Sequence, residues 1–159
     1  MRHKIIYFVI LLTLFLSSCG ESSKEELTSV ETFSGSTKIG LINDERILSA
    51  ESEPGNWLAH GRTYEENRFS PLTQINKENV SQLSLAWFKD MGTNRAQEST
   101  PIVVDGIMFL TSSWSKVFAI DAVSGETVWS FDPKVPGEVA RRACCDVVNR
   151  GVAVYNGKV

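Results

Sequence analysis

The sequence predicts an all-β fold assembled from a repeated, four-stranded unit, and three observations carry that expectation. From about Leu83 onward, apolar residues recur at every second position rather than every third or fourth. The apolar runs are joined by short glycine-bearing turns, among them Asp105-Gly106 and Asn156-Gly157, a pairing that suits a two-residue hairpin because both positions tolerate positive φ. Gly106 and Gly157 stand 51 residues apart with similar apolar runs on either side, a period of the size of a propeller blade. Antiparallel strands in succession on short turns are the anatomy of one β-propeller blade.

Taken in chain order, the first element is not part of that body. Arg2, His3 and Lys4 precede the apolar run Ile5 to Leu16, too short to span a bilayer comfortably but suited to an export signal over residues 1–18. The run leads directly into "LSSC", where small residues stand before Cys19. This resembles the bacterial lipobox, in which the cysteine is acylated and becomes the new N-terminus; an ordinary export signal is the alternative. Either route delivers the chain beyond the inner membrane, where disulfides are chemically permitted. Residues 19–42 are then expected to be a flexible tether, dominated by Ser, Thr and Glu and unable to bury enough apolar surface to order themselves.

The folded body is expected over residues 43–159. Asn43 is placed to cap a short helix running to about Ala50, with Asp44 and Glu45 in its first turn, and "EPGN" then turns the chain. "LSLAWF", Leu83 to Phe88, alternates like a strand. "TPIVVDGIMFLTS" reads as a hairpin about Asp105-Gly106. "KVFAIDAVSGETVWSFD" supplies two further strands, near Val117–Ile120 and Thr127–Phe131, around Ser124-Gly125. "GVAVYNGKV" begins a second copy of the hairpin, and the sequence therefore reads as the N-terminal piece of a longer chain. The formal charge is −3, with 16 basic and 19 acidic residues and no basic run in the body, which argues against electrostatic binding of nucleic acid.

The chemistry-bearing residues are few. Cys144 and Cys145 are adjacent, so one peptide holds their Cα atoms about 3.8 Å apart, closer than disulfides usually prefer. Two reduced thiols, a vicinal disulfide, or soft metal ligands are all open readings. A metal site would call for more Cys or His, and the histidines are only His3 and His60.

"AIDAVSGETVW" fits A-x-D-x-x-x-G-x-x-x-W through Ala119, Asp121, Gly125 and Trp129. Gly125 permits the turn, Asp121 can accept from turn amides, and Trp129 offers a broad packing face. This motif resembles the tryptophan-docking motif of the quinoprotein alcohol dehydrogenases, eight-bladed propellers that use pyrroloquinoline quinone (PQQ). "PGNWLAHGRTYEENRFSPLTQIN" (Pro54 to Asn76), "AWFKDMGTNRAQESTPIVVDGIMF" (Ala86 to Phe109) and "ACCDVVNRGVAV" (Ala143 to Val154) extend the likeness over residues 54–159. The resemblance implies that Cys144 and Cys145 close a disulfide ring that lies against one face of the planar quinone, a role polarisable sulfur suits. It implies that Arg150 contacts a cofactor oxygen, against the plainer reading of a surface arginine. It implies that Glu98 reaches the cofactor edge, against that of a solvated loop acid. Arg95 and Gln97 are left without a role, and Trp87 and Trp114 are expected in blade packing.

The family's Ca²⁺ ligands, catalytic aspartate and second aromatic wall are expected beyond residue 159, and no haem attachment motif C-x-x-C-H occurs. The resemblance thus implies PQQ-dependent oxidation of alcohols to aldehydes in the periplasm, with Ca²⁺ as Lewis acid, a c-type cytochrome as electron acceptor and a lipid anchor at Cys19. The competing function is a lipid-anchored propeller scaffold assisting outer-membrane protein assembly. That reading uses the leader, tether and docking motif but leaves Cys144-Cys145 and Arg150 without a purpose.

Overall fold

The computed structural model of the chain describes residues 40–159. The leader, Cys19 and most of the expected tether lie outside the described residues. The folded body begins before residue 43. Ile42 is fully buried in the core, and the Gly40 amide donates to the Asp105 carboxylate at 3.1 Å.

Helix α1 spans Asp44–Leu48, with the Asn43 side chain accepting from the Arg46 amide as its cap and a 3₁₀ turn, Ala50–Ser52, behind it. It is too short to be stable by itself. Arg46 holds it in place: the guanidinium bonds to both Glu53 and Asp105, which fastens the helix to the hairpin turn in front of it.

One antiparallel sheet forms the body, in the order β1-β2-β3-β4. β1 is Ile102–Val104, β2 Ile107–Ser112, β3 Lys116–Asp121 and β4 Thr127–Phe131. Both residues of the Asp105-Gly106 turn have positive φ, as the sequence requires. Alternation then fixes which side is buried. Ile102 pairs with Phe109, Phe109 with Ala119, and Ala119 with Trp129. Ile102, Phe109 and Ala119 of this row meet Ile42, Ala50, Leu58 and Val154 in a single apolar cluster, and the half-exposed Trp129 ring lies 6.0 Å from that of Phe109. A register shift near Ala119 and Ile120 marks a bulge between β3 and β4. Trp57 adds an isolated antiparallel bridge to Val103 on the β1 edge.

The docking motif behaves as its composition suggests. Asp121 accepts from the Val123 and Ser124 amides at 2.9 and 2.7 Å, and the Ser124 amide above all holds this carboxyl below the usual range. Gly125 has φ +75°, and Trp87 presses on it so closely that a Cβ there would lie 2.6 Å from the indole. The Trp87 indole N–H donates to the Ala122 carbonyl at 3.2 Å. Trp87 is thus a packing residue.

Leu83 to Phe88 differs from expectation: it is not a strand. Leu85 and Phe88 are exposed, and alternation becomes a ladder only where a free edge receives it. Among the described residues none does. The second hairpin turn does form. Asn156 and Gly157 both have positive φ, and Tyr155 bridges to Lys158. This turn closes on the N-terminal segment through Asn156 N–H to Ile42 O and Gly157 N–H to Gly40 O.

Candidate functional site

The sheet's loop end gathers three segments. The first is the extended stretch 95–99 before β1. The second is the β2–β3 connection at Ser113–Ser115, where Trp114 and Ser115 both adopt positive φ. The third is β5, Cys144–Val147, with the loop that follows it. Hydroxyls stitch them together. Ser99 donates to the Gly151 carbonyl at 2.6 Å, and Ser113 to the Ala96 carbonyl at 2.9 Å. Thr111 donates toward the Asn149 and Gly151 carbonyls, and the Asn149 amide donates to Ser115 Oγ at 3.0 Å. Serine and threonine suit this work because short side chains reach backbone groups without ordering long stems.

Cys144 and Cys145 are joined by a disulfide. Both residues are exposed, so the sulfur ring is offered to whatever docks at this end. Directly after it, Asp146 has φ +65°, a conformation Asp tolerates better than most residues.

Two ion pairs tie the sulfur-bearing strand and the loop that follows it to segment 95–99. Arg150 Nη2 and Glu98 Oε2 are 2.6 Å apart, with side chains 62% and 40% exposed. The Glu98 carboxylate is thus balanced by the Arg150 guanidinium and presents no isolated negative charge at this end of the sheet. The wet setting makes the bridge weak in itself, and Arg150 retains donors for another oxygen. Arg95 Nη1 and Asp146 Oδ1 are also 2.6 Å apart, and the Arg95 guanidinium stands 5.8 Å from the centre of the Trp114 ring, within cation–π range.

Sequence reasoning passed over Arg95, Asp146 and Trp114. Trp114, expected in blade packing, lies at this end of the sheet with the Arg95 guanidinium over its ring. Its signal was hidden, because nothing in "SSWSK" announces a positive φ at tryptophan, and Arg95 lies 51 residues from the acid it meets. A cleft of about 350 Å³ opens beside Trp114, lined by Lys116, Asp132, Lys134, Val135 and Gly137 rather than by the cysteines.

Residues 57–159 match the family model for the PQQ β-propeller domain of glucose, ethanol and alcohol dehydrogenases. The chain is 56% identical over 115 residues to the dehydrogenase subunit of the quinone alcohol dehydrogenase of Komagataeibacter europaeus, covering 72% of this chain and 16% of that one. It is 51% identical over 105 residues to the 1-butanol dehydrogenase (cytochrome c) of Thauera butanivorans, covering 66% of this chain and 15% of the relative. In three dimensions it is similar to the quinohemoprotein alcohol dehydrogenase ADHIIG of Pseudomonas putida HK5, with a TM-score of 0.74 at 48% identity, over 77% of this chain and 18% of that structure. The chain therefore spans 16% of the length of the first of these relatives. The match over residues 57–159, the β-propeller sheet and the docking-motif turn about Gly125 have one conclusion: this chain belongs to the PQQ-dependent alcohol dehydrogenase family.

Proposed function

We propose that the protein oxidises alcohols to aldehydes with PQQ as its redox group and passes the electrons to a c-type cytochrome. The observation that carries this reading is the exposed Cys144–Cys145 disulfide with, in the loop after its strand, an arginine paired to Glu98, in a chain of this family. The residues present suit such a cofactor. PQQ is flat and carries three carboxylates, and the site offers a disulfide between two exposed cysteines and, five residues on in the chain, the guanidinium of Arg150. When bound, PQQ supplies the two-electron acceptor for the alcohol.

This chain's part is to bind and orient. The disulfide provides a polarisable wall for a planar ring. Arg150 donates hydrogen bonds to a carboxylate or quinone oxygen in a charge-assisted geometry that lysine could not reproduce. Glu98 steadies Arg150 and limits the positive charge facing the ligand. No Ca²⁺ ligand and no base for the alcohol proton is assigned to residues 40–159. Residues 1–18 are read as a lipoprotein leader and Cys19 as the lipidated residue, with the folded body in the periplasm, where the sulfur ring stays oxidised.

The test is reconstitution of the full-length protein with PQQ and Ca²⁺, followed by dye reduction with primary alcohols. Turnover supports the reading. No dye reduction with any alcohol or polyol, from fully folded protein, would leave the anchored scaffold as the better account.

A further inference from the structure

We propose that Arg95 and Asp146 are a positioning pair that sets the sulfur-bearing strand at a fixed place and tilt against segment 95–99; this rests on the PQQ reading above and concerns the same site. The two ion pairs here have crossed polarity. Segment 95–99 contributes a cation and then an anion, Arg95 and Glu98, while the facing loop contributes an anion and then a cation, Asp146 and Arg150. Any slip that brought Glu98 to Asp146, or Arg95 to Arg150, would set like charges against each other. Register between the two segments is thereby specified, although neither belongs to a shared ladder that could specify it through backbone bonds.

Asp146 is the residue next to Cys145, so its anchoring point lies one peptide from the sulfur ring. Its backbone is already committed to φ +65°, and its carboxylate takes the Arg95 guanidinium at 2.6 Å. Arg95 is itself held from behind by the Trp114 ring, and Trp114 sits in a connection fastened to both segments through Ser113 and Ser115. A side chain 47% exposed against a partner 30% exposed would add little as an isolated surface bridge. Here both ends are pre-oriented, so the pair directs rather than merely attracts.

The experiment uses the full-length protein. PQQ affinity is measured by fluorescence titration in the presence of Ca²⁺, and amide hydrogen exchange over residues 143–150 is followed by mass spectrometry without cofactor. Arg95→Gln and Asp146→Asn are each expected to weaken PQQ binding about fivefold and to speed that exchange about fivefold, as loss of roughly one ordinary bridge allows. Apoprotein melting should not move, which a merely structural role would not leave untouched. The double variant should be no worse than either single one, because both remove the same interaction. Independent, multiplying effects, or wild-type affinity and exchange in the single variants, would overturn the pairing. Should a single variant fail to fold, the reversed pair Arg95→Asp with Asp146→Arg carries the test: recovery of wild-type exchange supports the proposal, and a folded chain without recovery defeats it. Wild-type protein that binds no PQQ would count against the cofactor reading, while the exchange data would still decide the pairing.

Discussion

Replacing Gly125 by alanine isolates one contact in the docking motif. At φ +75° an alanine pays the left-handed penalty, about 1–2 kcal/mol. Its methyl group would also stand 2.6 Å from the Trp87 indole. The ring cannot give way freely, because its N–H is bonded to the Ala122 carbonyl, and forced repacking of this kind costs about 1–3 kcal/mol more. Gly106→Ala is the matched control. Its φ is +82° and a new Cβ there meets nothing within 4 Å, so it carries only the backbone penalty, and the change in unfolded-chain entropy is the same for both. Urea unfolding followed by tryptophan fluorescence should show Gly125→Ala less stable than Gly106→Ala by about 1–3 kcal/mol. Adding Trp87→Ala should cancel that difference, since the obstructing ring is gone. Equal losses in the two glycine variants would refute the claim that Trp87 closes this turn.

Three further outcomes follow from the same geometry. Asp105→Asn keeps a residue suited to the turn but removes the charge that Arg46 binds, and should cost about 1–2 kcal/mol in urea unfolding. Arg46 holds the Glu53 and Asp105 carboxyls below their usual range. Both acids therefore take up protons less readily folded than unfolded, so their stabilisation is complete above about pH 5 and fades as pH falls below about 4; the acid limb of a stability–pH curve should be shallower in Asp105→Asn. Cys145→Ser should leave the melting of the apoprotein nearly unchanged, both cysteines being exposed, while lowering PQQ affinity in the same titration; unaltered affinity would remove the sulfur wall from the mechanism. For the anchor, Cys19→Ser should shift the full-length protein from the membrane to the soluble fraction, and unchanged partitioning would reject lipidation.

The hairpin turns, the α1 cap and the Asp121 turn were legible in the sequence because each depends on neighbours along the chain. Asp-Gly, an Asn before two acids, and Asp four residues before Gly125 state their geometry locally. Leu83 to Phe88 carried the right alternation for a strand yet formed none, since pairing needs an edge elsewhere and alternation cannot say whether one is present. The site divided the same way. Cys144 and Cys145 stand out by adjacency alone, but the Arg95–Asp146 contact joins residues that only the fold brings together. The turn conformation at Trp114, which places its ring under Arg95, belongs to a residue type that seldom adopts positive φ. Ile42 was assigned to the tether because it lies between a stretch rich in Ser, Thr and Glu and the Asn43 helix cap, and only its place in one cluster with Leu58 and Val154 reveals it as core.

The fastening of Gly40 to Asp105 fixes the point at which the described chain joins the sheet. Asp105 lies at one end of the sheet. β2 runs from Ile107 to Ser112, a climb of about 17 Å at the usual rise per residue, before reaching the corner where the sulfurs stand. Gly40 therefore lies at the end of the sheet opposite the Cys144–Cys145 disulfide. The hydrogen bonds that hold the chain's entry at Gly40 and those that gather Ser99, Ser113 and Thr111 around the sulfur-bearing end thus lie at opposite ends of one sheet, so a change at either leaves the other intact.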